Sequence, residues 1–110
     1  MNAWEIWTAP LFGPAHPVLV ISAQRRIDAK KFVVVLKGAT LRSGQQFQTD
    51  ALQVTLDQED GLDWQTRFDC DLLYTLEKKE LTQMRGEVRS LDRRRDISRK
   101  IIQGLCIAGL

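Results

Sequence analysis

Over residues 3–8, Trp4, Ile6 and Thr8 alternate with Glu5 and Trp7, the period-two pattern of an opening strand. All three prolines (Pro10, Pro14, Pro17) and Gly13 then fall within eight residues and predict a loop, since proline lacks the N–H that a helix or central strand uses. Residues 18–22 and 32–36 are continuous aliphatic runs, short enough for strands buried on both faces. Residues 23–31 between them are polar and basic. Two further strands are predicted over residues 51–56, where Leu52, Val54 and Leu56 alternate with Gln53 and Thr55, and over residues 66–75, interrupted around Cys70 and Asp71. An acidic turn at 57–63, containing Gly61, separates them. After a polar turn at 78–83, residues 84–88 read as a last short strand.

The period then changes. Ser90 is a helix N-cap before residues 91–106, and Ile97, Ile101, Leu105 and, just beyond, Ala108 recur at three-to-four spacing opposite Arg93, Arg94, Arg95, Arg99 and Lys100. Gly104 weakens the last turn. Five to seven short strands followed by one helix predict a mainly β fold, a small, strongly bent antiparallel sheet or open barrel with a C-terminal α-helix closing one side.

Composition narrows the class. At 110 residues with 44% hydrophobic and 27% charged positions, the chain reads as one globular domain over residues 1–110, without internal repeats or linkers. A core of this size needs no metal or disulfide staple. The net charge of +2 permits an acidic partner without demanding one. No apolar run approaches a membrane span, and no basic stretch precedes a long apolar one at the start, so the expectation is a cytoplasmic protein without a membrane partner. Cys70 and Cys106 lie 36 residues apart with no nearby ligand to complete a metal site, and read as reduced, buried thiols.

Several strings carry more information in their order than singly. They are Glu5-Ile6-Trp7, His16-Pro17-Val18-Leu19-Val20-Ile21-Ser22, residues 32–36, Val54-Thr55-Leu56, Cys70-Asp71, Tyr74-Thr75-Leu76-Glu77, Leu81, Gly86-Glu87-Val88 and the closing helix. Over nearly the whole chain this succession resembles the MazF/PemK/Kid family of toxins from type II toxin–antitoxin pairs. The resemblance implies an SH3-like barrel of the MazF/PemK/CcdB type. It also implies a homodimer that cuts single-stranded RNA without a metal or other cofactor, and a cognate antitoxin laid along the dimer groove. Departures accompany it. The loop before the second strand is short, His16 stands at the family's Arg position, Leu36-Lys37-Gly38-Ala39-Thr40 replaces a Pro-Leu-Thr turn, and Tyr74-Thr75-Leu76-Glu77 replaces Arg-Thr-Ile-Asp.

Metal-free RNA cleavage needs a base for the 2′-OH proton, an acid for the leaving 5′-oxygen and cations or donors at the phosphate. His16 is a candidate base or acid, because imidazole changes protonation nearest neutral pH. Glu77 is a candidate base, Lys37 or Arg42 a phosphate cation, and Thr40 or Thr75 a hydroxyl donor. Phe12, Arg25, Arg42, Tyr74 and Thr75 are candidate RNA contacts. Each has a structural alternative: a loop position for His16, a solvated turn for Glu77 beside Lys78 and Lys79, a core aromatic for Tyr74, and a basic hairpin turn for Lys37 and Arg42. Trp4 and Trp7, three apart, fall on opposite faces of a strand. The basic clusters at 25–31 and 93–100 read as solvated surface or as phosphate contacts. In a dimer, the loops at 12–16 and 37–47 would line a groove across the two-fold axis. The leading reading is therefore an endoribonuclease toxin. The alternatives are a non-catalytic barrel toxin or binding module that acts on a protein, in the manner of CcdB, and a general nucleic-acid-binding barrel. Convergence or separation of His16, Lys37 and Glu77 distinguishes the first two.

Overall fold

A computed structural model describes residues 1–41 and 50–106. Arg42, Gly44, Phe47 and Ala108, which figure in the sequence reading, lie outside the described residues. Within them the chain forms one six-stranded antiparallel sheet. In chain order the elements are β1 (Glu5–Pro10), β2 (Ala15–Val20), α1 (Gln24–Ala29), β3 (Phe32–Thr40), β4 (Gln53–Leu56), β5 (Thr66–Glu77), β6 (Gln83–Glu87) and α2 (Leu91–Gly104). The strands lie in the order β4-β5-β3-β2-β1-β6. The mainly β architecture with a closing helix is as the sequence pattern predicts.

Both faces of the sheet are covered, which is why β2 and β3 read as continuous apolar runs. One face collects Ile6, Leu19, Leu36, Leu56, Phe68, Cys70 and Val88, and α2 seals it with Ile97 and Ile101. The other collects Ala9, Leu11, Val18, Val20, Val33, Val35 and Leu81, with Ile27 of α1 above them. Trp4 packs on the first cluster and Trp7 on the second, so the two indoles serve opposite faces as their spacing requires.

Three sequence expectations are corrected. Pro17 is inside β2, opposite Thr8 of β1, rather than in a loop. The Ile21 N–H donates to the Val34 carbonyl, so by alternation the nitrogens of residues 19 and 17 also face β3. The β2–β3 register ends at Val18↔Lys37, so the N–H that Pro17 lacks falls just past the last pair. Residues 24–29 form a helix that six mostly polar positions could not signal by periodicity; only Ile27 is buried. The apparent interruption at Cys70 and Asp71 is a register shift within one twelve-residue strand, where β3 pairing jumps from Leu36↔Leu73 to Gly38↔Phe68. A methyl at Gly38 would stand 2.7 Å from the Phe68 ring, so the shift depends on a glycine there.

The open edges of the curl meet through a 3-10 turn, Gln58–Asp60, which runs up against Gly86 of β6. Asp57 caps this turn and Asp60 returns a bond to the Asp57 N–H. Arg93, in the first turn of α2, bonds Asp57, Glu59 and Asp60 together. Arg94 Nε donates to the Val88 carbonyl, and Lys100 Nζ to the Gln53 carbonyl. Much of the predicted basic face of the helix is therefore spent on anchoring it to the sheet. Ser90 caps α2 through the Arg93 N–H, as predicted.

Candidate functional site

At the end of the sheet where β2 and β3 part, four of the candidate residues share one face. Strand alternation places His16 with Val18 and Val20, while Lys37, paired with Val18, and Tyr74, paired with Val35, follow the same rule. Lys37 is thus the diagonal neighbour of His16 on one side and of Tyr74 on the other, a separation of about 7–8 Å that long side chains bridge. Lys37 is on a strand at the β3 irregularity, not in a hairpin turn. Both His16 and Lys37 are half-buried, open to solvent but held by strands.

Phe12 joins them from the β1–β2 hairpin. The Leu11 N–H donates to the Pro14 carbonyl, and Phe12 and Gly13 between them both have positive φ, at 56° and 99°. Two left-handed central residues match the twist of the flanking strands, but the first is usually Asn, Asp or Gly. An aromatic residue held there costs about 1–2 kcal/mol. This strain swings the Phe12 ring over the sheet to meet Tyr74 edge-on, with centroids 5.8 Å apart at 75°. Even so Phe12 remains 80% exposed.

Other candidates do not converge here. Glu77 lies opposite Phe32, at the other end of β3 from Lys37. Five residues separate Phe32 from Lys37, about 17 Å at ~3.3 Å per residue. Alternation also turns Glu77 and Thr75 to the Leu73 side of the sheet. Of the three residues whose convergence distinguishes the two readings, Glu77 therefore stands apart from His16 and Lys37. Glu77 instead holds Lys31 at 3.4 Å and Lys79 at 3.2 Å, and the Lys79 bond, aided by Lys31, holds its carboxyl below the usual carboxylate value. Thr40 pairs with Thr66, which is buried, and stands three residues along β3 from Lys37. Arg25 is exposed on α1.

The structure adds one cation to this face. Arg67 lies opposite Ala39 of β3, and because Phe68 points into the α2-covered core, Arg67 points to the face that carries His16. The signal was available in the alternation of Thr66, Arg67 and Phe68. The thiols also divide, Cys70 being buried as predicted while Cys106 is exposed just past α2.

No protein-family model matches the chain, and no curated protein does. Solved structures do. A mycobacterial endoribonuclease in complex with its cognate antitoxin is 23% identical, with a TM-score of 0.81 over 97% of this chain and 96% of that one. The Mycobacterium tuberculosis toxin MazF-mt6 is 22% identical, with a TM-score of 0.75 over 93% and 96%. A MazE-MazF structure from Deinococcus radiodurans is 15% identical, with a TM-score of 0.69 over 94% and 92%. The chain has the fold of the MazF toxins.

Proposed function

We propose that this chain is the toxin of a type II toxin–antitoxin pair, a metal-independent endoribonuclease that cuts single-stranded RNA as a homodimer and is silenced by a cognate antitoxin. The observation that carries this reading is the gathering of His16, Lys37 and the Phe12–Tyr74 pair on one open end of a fold shared with endoribonucleases. In the reaction, a 2′-oxygen bonds to the adjacent phosphorus and the bond from phosphorus to the 5′-oxygen breaks, the 5′-oxygen taking a proton from water as it leaves. His16 takes the 2′-OH proton, and Lys37, with Arg67 beside it, balances the charge that builds on the phosphate. Thr40 adds a hydroxyl donor further along β3. Lys37 supplies a point charge where a guanidinium would give a planar fork, so it constrains the phosphate less. Phe12 and Tyr74 present ring surface to a base.

An apolar groove along the outer face of α2, with Leu91 and Ile102 exposed, supports the homodimer. The separation of Glu77 from His16 favours the second reading, a non-catalytic barrel that acts by binding a protein. No described helix is long and apolar enough to cross a membrane.

Incubation with a long unstructured RNA in EDTA, beside His16→Ala and Lys37→Met, decides between the two. Discrete cuts by the wild type that disappear in the variants support the enzyme. A folded, antitoxin-free protein that leaves the RNA intact overturns it.

A further inference from the structure

One cluster of positive charge lies at the end of the sheet away from His16. Arg25, Arg26, Lys30, Lys31, Lys78 and Lys79 gather around α1 and the turn after β5, against Asp28, Glu77 and Glu80, a local excess of three charges where the whole chain carries +2. Two contacts build the cluster: Lys78 Nζ donates to the Ile27 carbonyl at 2.7 Å, and the Lys78 N–H donates to the Lys31 carbonyl at 3.0 Å. Only Ile27 of α1 is buried, so Arg25, Arg26 and Lys30 project outward. Ala23 and Ala29 keep the floor low beneath them, leaving a shallow groove of about 510 Å³.

The helix that carries this groove covers the same face of the sheet as the candidate site. Ile27 packs over Val33 and Val35, and Tyr74 stands opposite Val35. Following β3, one passes from Lys37 through the level of Tyr74 to Lys31 over six residues, about 20 Å. Cations thus stand at both ends of the path, with the Phe12–Tyr74 aromatic pair between them. A single-stranded nucleic acid has that alternation, with phosphates at a regular repeat and bases free to stack.

We propose that the α1 groove is a second RNA-binding site, in which Arg25, Arg26 and Lys30 hold phosphates of the same single strand whose scissile bond lies at His16 and Lys37. The proposal rests on the ribonuclease reading for the direction of the strand. An acidic polypeptide would satisfy the charges of the groove but would offer the aromatic pair no bases.

The test uses a fluorescein-labelled, mixed-sequence 12-nucleotide RNA with 2′-O-methyl groups throughout, which has no attacking hydroxyl. Binding is followed by anisotropy between 50 and 200 mM KCl for the wild type, for Arg25→Gln/Arg26→Gln/Lys30→Gln and for Lys30→Glu alone. All three positions are exposed, and thermal melts check that each variant is folded. The triple variant is expected to bind about tenfold more weakly, with a salt slope shallower by about 2, since each lost contact on a single strand removes about 0.7. Lys30→Glu is expected to weaken binding in the same direction. An unchanged Kd and slope overturn the proposal. So does loss of binding to a polyglutamate peptide with RNA binding intact, which would make the groove a protein site. Cleavage of ordinary RNA is scored separately, so a failure of the enzyme reading is distinguishable from a failure of this one.

Discussion

Arg93 Nη1 lies 2.5 Å from Asp60 Oδ2, joining the first turn of α2 to a carboxyl that is only 2% exposed where the edges of the sheet meet. The partner oxygen, Oδ1, has no hydrogen-bond partner among the described residues. Removing Arg93 would leave Asp60 buried without its guanidinium, and breaking such a pair typically costs about 3–5 kcal/mol. Arg93 is itself partly exposed, so Arg93→Ala should lose about 3 kcal/mol. The check is urea denaturation, with the midpoint falling and the slope unchanged.

The same carboxyl predicts a pH dependence. Burial raises the Asp60 pKa above its ordinary 3.8, against the opposing pull of the Asp57 N–H and Arg93. Unfolded, the group releases its proton near 3.8; folded, it keeps the proton to higher pH. Between those two values the folded state binds more protons, so the Asp60 contribution to stability falls as pH rises and levels off above the folded value. Glu77, whose pKa is lowered, works in the opposite direction at acid pH. Subtracting the Tm profile of Asp60→Asn from that of the wild type should isolate the Asp60 trend. A difference that rises with pH from 3.8 would contradict it.

Gly86 should not tolerate even a methyl group. Its Cβ would stand 2.2 Å from the Asp60 carbonyl oxygen, which is backbone and cannot rotate away. Gly86→Ala must separate the 3-10 turn from β6, at about 3 kcal/mol by the usual cost of overpacking. Thermal unfolding would show it, and a variant as stable as the wild type would mean that the two edges do not meet this closely.

Phe12 is strained and exposed, and its ring touches Tyr74. Phe12→Ala should therefore change stability by less than about 0.5 kcal/mol, as exposed substitutions do. RNA affinity should nevertheless fall about tenfold, within the usual worth of one stacked base. Parallel melts and RNA titrations separate these effects. A purely structural role would move the melt and leave the titration alone.

The two thiols should differ in reactivity. Burial pushes the Cys70 thiol up to about 12, whereas Cys106 is exposed. Because the thiolate is the reacting form, a disulfide reagent at pH 8 should modify one cysteine in the native protein and two in guanidinium. Peptide mapping should place the first label on Cys106.

What could be read from the sequence depended on whether local pattern or tertiary context decides each element. The closing helix was legible because Ser90 and the spacing of Ile97 and Ile101 act over neighbouring turns. The strands at β2 and β3 were legible because burial on both faces leaves an uninterrupted aliphatic run. Pro17 misled because a missing donor matters only if a partner strand stands opposite it, and that depends on where the β3 ladder ends. The short α1 offers a single buried position, too few for a period to appear. Within the site, His16, Lys37, Phe12 and Tyr74 were individually visible. Their convergence, and the departure of Glu77 to the other end, depend on register, which no local string encodes. Arg93 looked like surface charge because its carboxylate partners, Asp57, Glu59 and Asp60, come from a distant part of the chain, and Arg94 because its bond to the nearby Val88 carbonyl leaves no mark in the residue pattern.

Pro17 has one further consequence. Were it an ordinary residue, its amide hydrogen would point toward β3 and could carry the ladder another step, drawing Ala39 against His16 like the next tooth of a zipper. The covalent ring prevents that closure, and the two strands splay from Val18 and Lys37 onward. The notch beside the His16 imidazole and the Lys37 ammonium is kept open by an atom that the chain does not have.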